Sequence, residues 1–203
     1  MISALYVEEG GNYFGLRNVD PWSEERDARR YEGPWPIVAH PPCKRWGRYW
    51  GGGPNVRVKR KLGDDGGCFA AALASARRFG GVIEHPQASH AWHHNGLNKP
   101  PRFGGWVMAD WFGGWTCCVE QGHYGHLARK ATWLYAFGCE LPTLTWGESE
   151  GIRIEDGFRS AEERRVAVAQ PGYVPPKIMP THLRHVTPVP FRDVLISIAE
   201  SAN

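Results

Sequence analysis

The sequence predicts an α/β fold, a small and mostly parallel sheet with flanking helices, from three segments. Ile37–Ala39 and Gly81–Ile83 are short apolar runs next to proline, a composition typical of buried strands. Between them, Cys68–Phe79 is rich in alanine, the residue with the highest helix propensity. The order is therefore strand, helix, strand, the unit from which α/β sheets are built.

The remaining elements follow from shorter signals. Residues 44–66 and 86–115 are dense in Gly, Pro and polar side chains, so we predict loops there. The other predicted elements are strands at Ala4–Val7, Thr116–Gln121 and Ala131–Phe137 and helices at Ser23–Arg30 and Pro190–Ser201. We expect an α/β catalytic-like domain at residues 1–139, an irregular recognition or insert region at 140–186, and a C-terminal helix at 187–203 that packs back on the domain.

Composition limits the classes of protein to which the chain can belong. The 203 residues suffice for one domain, and the formal net charge of +3 is only mildly basic. There is no basic, apolar secretory leader and no apolar run near the ~18 residues of a membrane span. The five cysteines are an odd number. We therefore expect a reduced protein of the cytoplasm with no membrane partner.

Candidate catalytic side chains lie at the ends of the two predicted strands. Pro41 and Pro42 stop the first strand, so Cys43 is expected on a rigid loop beyond its carboxyl end. Glu84 and His85 end the second strand, and ligands of open α/β sheets bind at such ends. Cys43 would be a nucleophile, its pKa lowered by Lys44, Arg45 and His40. The alternatives are a buried, inert thiol and a structural ion pair of Glu84, while His85 either orients a partner or caps the loop.

A basic and aromatic segment follows Cys43. Seven Lys and Arg occur in residues 44–61 with no acidic residue among them, a pattern that favours contact with phosphate over a plain solvated surface. Interleaved aromatic side chains could stack on bases. The candidate nucleic-acid-binding residues are Lys44, Arg45, Trp46, Arg48, Trp50, Arg57, Lys59, Arg60 and Lys61.

A metal site is the alternative use of the nine histidines. His90, His93 and His94 show no recognised ligand spacing, and Cys117 and Cys118 are adjacent rather than separated by two residues. We therefore expect no metal, and we expect these two cysteines to lie in a core strand.

Three segments, in this order, resemble cytosine-5 DNA methyltransferases, in the form of a small phage-type protein. They are Pro41-Pro42-Cys43, Glu84-His85-Pro86, and Tyr124-Gly125 followed by Arg129-Lys130 and Thr132. Thr187-Pro188 before the last helix is similar to the family's closing motif. The resemblance covers roughly residues 37–137 and the tail. The region before Cys43 is shorter than in the family, as if one strand–helix unit were missing.

The resemblance implies a trimmed, Rossmann-like methyltransferase domain that modifies a pyrimidine in DNA. Cys43 would add to carbon 6 of the base, and Glu84 and His85 would stand in the motif that holds the ring. Arg129 or Lys130 would contact a phosphate or a ring oxygen. The implied cofactor is S-adenosylmethionine, with Gly10 and Gly11 in its loop and Asp20 or Asp27 on its ribose.

Two other functions fit the same residues. One is a catalytically silent DNA-binding protein on this scaffold, acting in DNA protection or against restriction. The other is a cysteine-dependent enzyme that modifies nucleotides with a donor other than S-adenosylmethionine. Tolerance of Cys43→Ala would favour the first, and activity on free nucleotides alone would favour the second.

Overall fold

A computed structural model describes residues 1–47, 50–52, 57–58, 60–152, 161–175, 179–180 and 184–202. In this part of the chain seven strands form one sheet. The strands are β1 (Ile2–Leu5), β2 (Val19–Trp22), β3 (Ile37–Ala39), β4 (Gly81–Pro86), β5 (Val107–Met108), β6 (Trp115–Glu120) and β7 (Ala131–Phe137).

The sheet has a parallel half and an antiparallel half. Its strand order is β2-β1-β3-β4-β7-β6-β5. The pairs from β2 to β4 are parallel, and the pairs from β4 to β5 are antiparallel. The α/β class is confirmed, but the sheet is mixed, so a mostly parallel sheet is not. The physical reason is the short connection between β6 and β7, which turns the chain back on itself instead of crossing over.

Four helices accompany the sheet in the described residues: α1 (Cys68–Phe79), α2 (His90–His94), α3 (Ala161–Val168) and α4 (Val189–Glu200). The bounds of α1 are those expected from the sequence. The helix expected at Ser23–Arg30 is a single 3-10 turn at Ala28–Arg30, preceded by β2. That strand escaped sequence prediction because Pro21 lies inside it, which is tolerated here because β2 is an edge strand.

One helix packs on each face of the sheet. Helix α1 buries Phe69, Ala72, Leu73 and Ala76, which repeat at helical spacing, against β3, β4 and β7. Helix α4 buries Phe191, Leu195, Ile198 and Ala199 against the opposite faces of β1, β3 and β4. Each large apolar side chain buried in this way stabilises the fold by about 1.5–3 kcal/mol. The two helices hold the central strands β3 and β4 between them.

Gly81 allows β3 and β4 to approach closely. Its φ is 124°, and a Cβ at this position would lie 2.0 Å from the carbonyl oxygen of Ile37. Only glycine adopts this conformation without strain. The resulting register pairs Ala39 with Ile83, so the next residues along the two strands, His40 and Glu84, are level with each other.

No helix of the described ranges combines the length and apolar character that crossing a bilayer would require.

Candidate active site

His40 and Glu84 meet where the parallel pairing of β3 with β4 ends. His40 Nδ1 lies 3.0 Å from Glu84 Oε2, and both side chains are largely buried. Tyr13, from the segment after β1, places its hydroxyl 2.8 Å from His40 Nε2. The end of β4 therefore carries a carboxylate that is held by an imidazole, which is in turn held by a phenol.

The other oxygen of Glu84 is bonded from the antiparallel half of the sheet. Gln121 Nε2 donates to Glu84 Oε1 at 3.2 Å and to Thr132 Oγ1 at 2.9 Å. Burial alone would raise the pKa of Glu84, but the hydrogen bond from His40 and the charges of His40 and Lys130 lower it to about 2. Glu84 is therefore an anion at neutral pH.

Cys43 starts a tight turn immediately beyond the prolines. Its carbonyl oxygen accepts the backbone N–H groups of Trp46 at 2.9 Å and Gly47 at 3.0 Å, which fixes the backbone that carries the thiol. The side chain is half-buried. Burial raises the pKa of the thiol, the negative charge of Glu84 raises it further, and Lys130 acts in the opposite direction. The lowered pKa expected from Lys44 and Arg45 is not what the structure shows.

Lys130 completes the charged group. Its backbone has a φ of 41°, an uncommon conformation for a side chain other than glycine. Nζ donates to the carbonyl oxygen of Val186 at 3.1 Å. Burial lowers the pKa of Lys130, while the negative charge of Glu84, and that of Cys43 when it is a thiolate, oppose that change. Arg129, the neighbouring candidate, instead extends to the surface and pairs with Glu148 at 2.8 Å.

His85 lies on the other face of β4, because successive side chains of a strand alternate. Its ring is 1% exposed and packs edge-on against Phe69, with a centroid distance of 5.3 Å, and beside Trp92. Burial lowers the pKa of His85 to about 4, so the ring is neutral at pH 7. Neither ring nitrogen makes a hydrogen bond of regular geometry within the described residues. The structure thus separates His85 from Glu84 and places it in the core.

A groove of about 850 Å³ lies at the same edge of the sheet, beyond the ends of β1, β2 and β3. Strand β1 lies between β2 and β3, so the chain passes to one side of β1 to form β2 and then to its other side to form β3. The groove lies at this topological switch point, which is the usual ligand position in open α/β sheets. Pro42, adjacent to Cys43, forms part of its wall. Its acidic lining residues are Glu8, Glu9, Glu24, Glu25, Asp27 and Asp65.

Of the residues expected to bind a cofactor, Asp27 lines this groove, and Gly10, Gly11 and Asp20 do not. Gly11 closes a turn in which its N–H donates to Glu8 at 3.0 Å, and Gly10 has a φ of 67°. Asp20 lies within β2, where its carboxylate is bonded to Arg26 and Trp22. Of the two candidate ribose-binding carboxylates, only Asp27 lines the groove.

The basic segment after Cys43 is described only in part. Lys44, Arg57 and Lys61 are exposed, and Arg45, Trp50 and Arg60 are half-buried. Arg48 and Lys59 lie outside the described residues. Trp46 differs from the expectation of a stacking platform: it is 3% exposed, and its indole N–H donates to Asp65 at 2.8 Å. Trp46 therefore belongs to the core beneath α1.

Sequence reasoning missed two members of the site, Tyr13 and Gln121, and named Thr132 only as part of the third segment that resembles the family. Tyr13 and Gln121 are each ordinary in their local segments, and the pairing of β4 with β7 sets Thr132 opposite Pro86, two residues along β4 from Glu84. A signal existed for Gln121, a polar residue that directly follows the apolar strand β6. Cys117 and Cys118 are buried in β6. Among the described residues, no group of three His, Cys, Asp or Glu side chains is arranged to hold a metal ion.

Comparison of the chain with models of protein families, with curated proteins and with solved structures finds no match.

Proposed function

We propose that the protein is an enzyme that modifies carbon 5 of a pyrimidine base, of the kind represented by the cytosine-5 DNA methyltransferases. The observation that supports this proposal is the placement of Cys43 beyond the end of β3 and of Glu84 in the adjacent parallel strand β4, one residue past its pairing with β3. The two are close enough for the charge of Glu84 to raise the pKa of the thiol. A nucleophile and a carboxylate that can hold a ring are the two groups this chemistry requires.

The reaction begins when the Cys43 thiol loses its proton to solvent and the sulfur bonds to carbon 6. The electrons of the carbon 5–carbon 6 double bond move toward carbon 5 and the ring, and carbon 5 becomes nucleophilic. Glu84 holds the edge of the ring, and the ammonium group of Lys130 stabilises the negative charge that develops there. Carbon 5 then bonds to an electrophilic one-carbon unit, whose bond to its carrier breaks. A base removes the hydrogen of carbon 5 as a proton, the carbon 5–carbon 6 double bond re-forms, and the bond from carbon 6 to sulfur breaks to release Cys43 as a thiolate.

The groove at the switch point fits S-adenosylmethionine. Its volume of about 850 Å³ lies within the usual range for small-molecule sites. Six carboxylates line it, and the cation Arg29 is paired with Asp27, so the groove favours a positively charged ligand over one rich in phosphate. S-adenosylmethionine would supply an electrophilic methyl group carried on a sulfonium ion. Glu24 and Glu25, beyond the end of β2, are better placed than Asp20 to contact it. The parallel half of the sheet supports the proposed Rossmann-like relationship.

DNA is the proposed partner. Lys44, Arg57 and Lys61 are exposed cations in the segment that follows Cys43. Neutralising Arg57 and Lys61 should weaken binding to a DNA duplex and reduce the slope of log K against log salt by about 0.9 for each phosphate that the variant no longer neutralises. Neutralising Arg17 and Arg30, two exposed cations elsewhere, is the matched control. An unchanged slope in the first variant would contradict this interface.

Covalent trapping tests the nucleophile. The substrates are oligonucleotides that contain 5-fluorocytosine or 5-fluorouracil, incubated with S-adenosylmethionine, because fluorine cannot leave carbon 5 as a proton does. The wild type and Cys139→Ala, which removes a half-buried thiol elsewhere, should give an adduct that survives denaturation. Cys43→Ala should give none. An adduct with Cys43→Ala, or none with the wild type, would contradict the proposed reaction.

Calorimetry tests the donor separately. S-adenosylmethionine should bind the wild type and bind at least tenfold more weakly to Glu24→Gln/Glu25→Gln, because the groove loses two negative charges. Glu162→Gln/Glu163→Gln, at two exposed residues of α3 that do not line the groove, is the matched control. Absence of binding to the wild type would remove this donor, and salt-dependent DNA binding without trapping would then favour the catalytically silent protein.

A further inference from the structure

The direction of the hydrogen bonds around Glu84 determines what this side chain can offer a ligand. Its two oxygens are bonded to His40 Nδ1 and Gln121 Nε2. If both partners donate, Glu84 holds no proton and presents acceptors only. If either partner accepts, Glu84 carries a proton and can donate. The rest of the network distinguishes these states.

The amide of Gln121 is oriented by Thr132. Thr132 Oγ1 donates its proton to the carbonyl oxygen of Lys130 at 3.0 Å, so it can only accept from Gln121. The atom of Gln121 that lies 2.9 Å from Thr132 Oγ1 must therefore be the nitrogen. Its second hydrogen is directed to Glu84 Oε1 at 3.2 Å. Gln121 thus donates to Glu84.

The ring of His40 is oriented by Tyr13. The Tyr13 hydroxyl is buried, and burial raises its pKa, so it keeps its proton. Within the described ranges its hydrogen-bonding partner is His40 Nε2. A buried hydroxyl that donates to Nε2 leaves the proton of a neutral ring on Nδ1, and a cationic ring carries a proton there in any case. In both states His40 Nδ1 donates to Glu84.

We infer that Glu84 faces the base as an acceptor only, so the preferred substrate carries a hydrogen on ring nitrogen 3: uracil, in a nucleotide or in DNA, rather than cytosine. This inference rests on the proposed function and specifies its substrate. Nitrogen 3 of uracil donates to a carboxylate, whereas nitrogen 3 of cytosine is itself an acceptor and would meet a lone pair. When the Cys43 sulfur bonds to carbon 6 of uracil, the displaced electrons form an enolate at oxygen 4, which Lys130 can stabilise.

Exchange of the carbon 5 hydrogen in heavy water tests which base the protein prefers, and it needs no methyl donor. Addition of Cys43 to carbon 6 makes carbon 5 take up a deuteron, and loss of the original hydrogen followed by expulsion of Cys43 returns the labelled base. The substrates are dUMP, dCMP and two oligonucleotides that differ only in one uracil or cytosine. Rates are read by mass spectrometry and divided by those for a free thiol. The normalised rate should be at least tenfold higher for uracil, with Cys43→Ala inactive on both bases.

The variant Gln121→Glu makes the same test through the network. It places a second carboxyl group against Glu84, and two carboxylates at that distance cannot both ionise, so one holds a proton that can be donated to cytosine. The ratio of uracil to cytosine exchange should fall at least tenfold. Gln121→Met, which removes the donor and adds no acid, is the control for damage to the site and should keep the preference for uracil.

The outcomes separate the two proposals. Exchange on neither base by the wild type would overturn the proposed function and this inference with it. Faster exchange on cytosine would leave the function and overturn only the assignment of uracil. An unchanged base ratio in Gln121→Glu, in a variant that melts like the wild type, would also overturn that assignment.

Discussion

Replacing His40 with leucine should destabilise the protein by about 3 kcal/mol at pH 7. The magnitude comes from Glu84, whose pKa is lowered from 4.5 to about 2, and a difference of this size corresponds to about 3 kcal/mol of preferential stabilisation of the anion. His40 is the principal source of that stabilisation. Its removal leaves a buried carboxylate with Gln121 as its remaining donor, and breaking one side of a buried pair typically costs about 3–5 kcal/mol.

Urea unfolding followed by tryptophan fluorescence measures the effect. His93→Leu, at an exposed histidine of α2, should change the free energy of unfolding by less than about 0.5 kcal/mol. A double-mutant cycle isolates the pair: in the background of Glu84→Gln, where the buried carboxylate is absent, His40→Leu should cost about 2 kcal/mol less. A cost below about 1 kcal/mol, or an equal cost in both backgrounds, would refute the reasoning that His40 stabilises the Glu84 anion.

The sign of the pH dependence follows from the same pair. A carboxyl group with a lowered folded-state pKa contributes stability that is complete above pH 4.5 and is lost as the pH falls towards about 2. In His40→Leu, burial dominates and favours the protonated acid. The stability of that variant should therefore decrease as the pH rises from 4 to 7, opposite to the contribution of Glu84 in the wild type. Parallel pH profiles for the two proteins would contradict this account.

Three further predictions concern other parts of the molecule. The rate of alkylation of Cys43 by iodoacetamide should rise with a midpoint above pH 9, because burial and Glu84 raise the pKa of the thiol. Glu84→Gln should move that midpoint to lower pH, as measured by peptide mass spectrometry of Cys43. A midpoint that stays in place would contradict the role of Glu84. Asp110→Ala should lower the free energy of unfolding in urea by about 3 kcal/mol. The reason is that Asp110 accepts hydrogen bonds from Arg77, from Tyr135 and from two backbone N–H groups of the β5–β6 loop. A change near zero would mean that the loop folds without these bonds. By the same assay, Trp46→Ala should lower the free energy of unfolding by about 3–5 kcal/mol, because Trp46 is buried. Trp111→Ala should lower it by less than about 0.5 kcal/mol, because Trp111 is 99% exposed. Similar values for the two variants would contradict the burial of Trp46.

The central part of the fold could be predicted from the sequence. The antiparallel direction of the later strands was not predicted, although the sequence held a signal for it. Helix α1 and strands β3, β4 and β7 carry strong composition signals. The connection from β6 to β7 is too short for a parallel crossover, which needs a dozen or more residues and usually a helix, so it indicated antiparallel neighbours. Strand β2 was beyond prediction because Asp20 and Pro21 both disfavour strand structure, and only pairing with β1 compensates.

In the candidate site, local sequence patterns predict which face of a strand a side chain occupies, but not the partners that it meets there. Strand alternation alone separates Glu84 from His85, so a strand that buries both faces sends one side chain to the site and the other to the core. What alternation cannot supply is the set of partners. Tyr13, His40, Gln121 and Thr132 come from four segments. The pairing of β4 with β3 sets His40 level with Glu84, and the pairing of β4 with β7 brings Thr132 to the same end of the sheet. With His40 and Gln121 as the donors to Glu84, the proposed preference for uracil depends on residues outside the Pro41-Pro42-Cys43 motif.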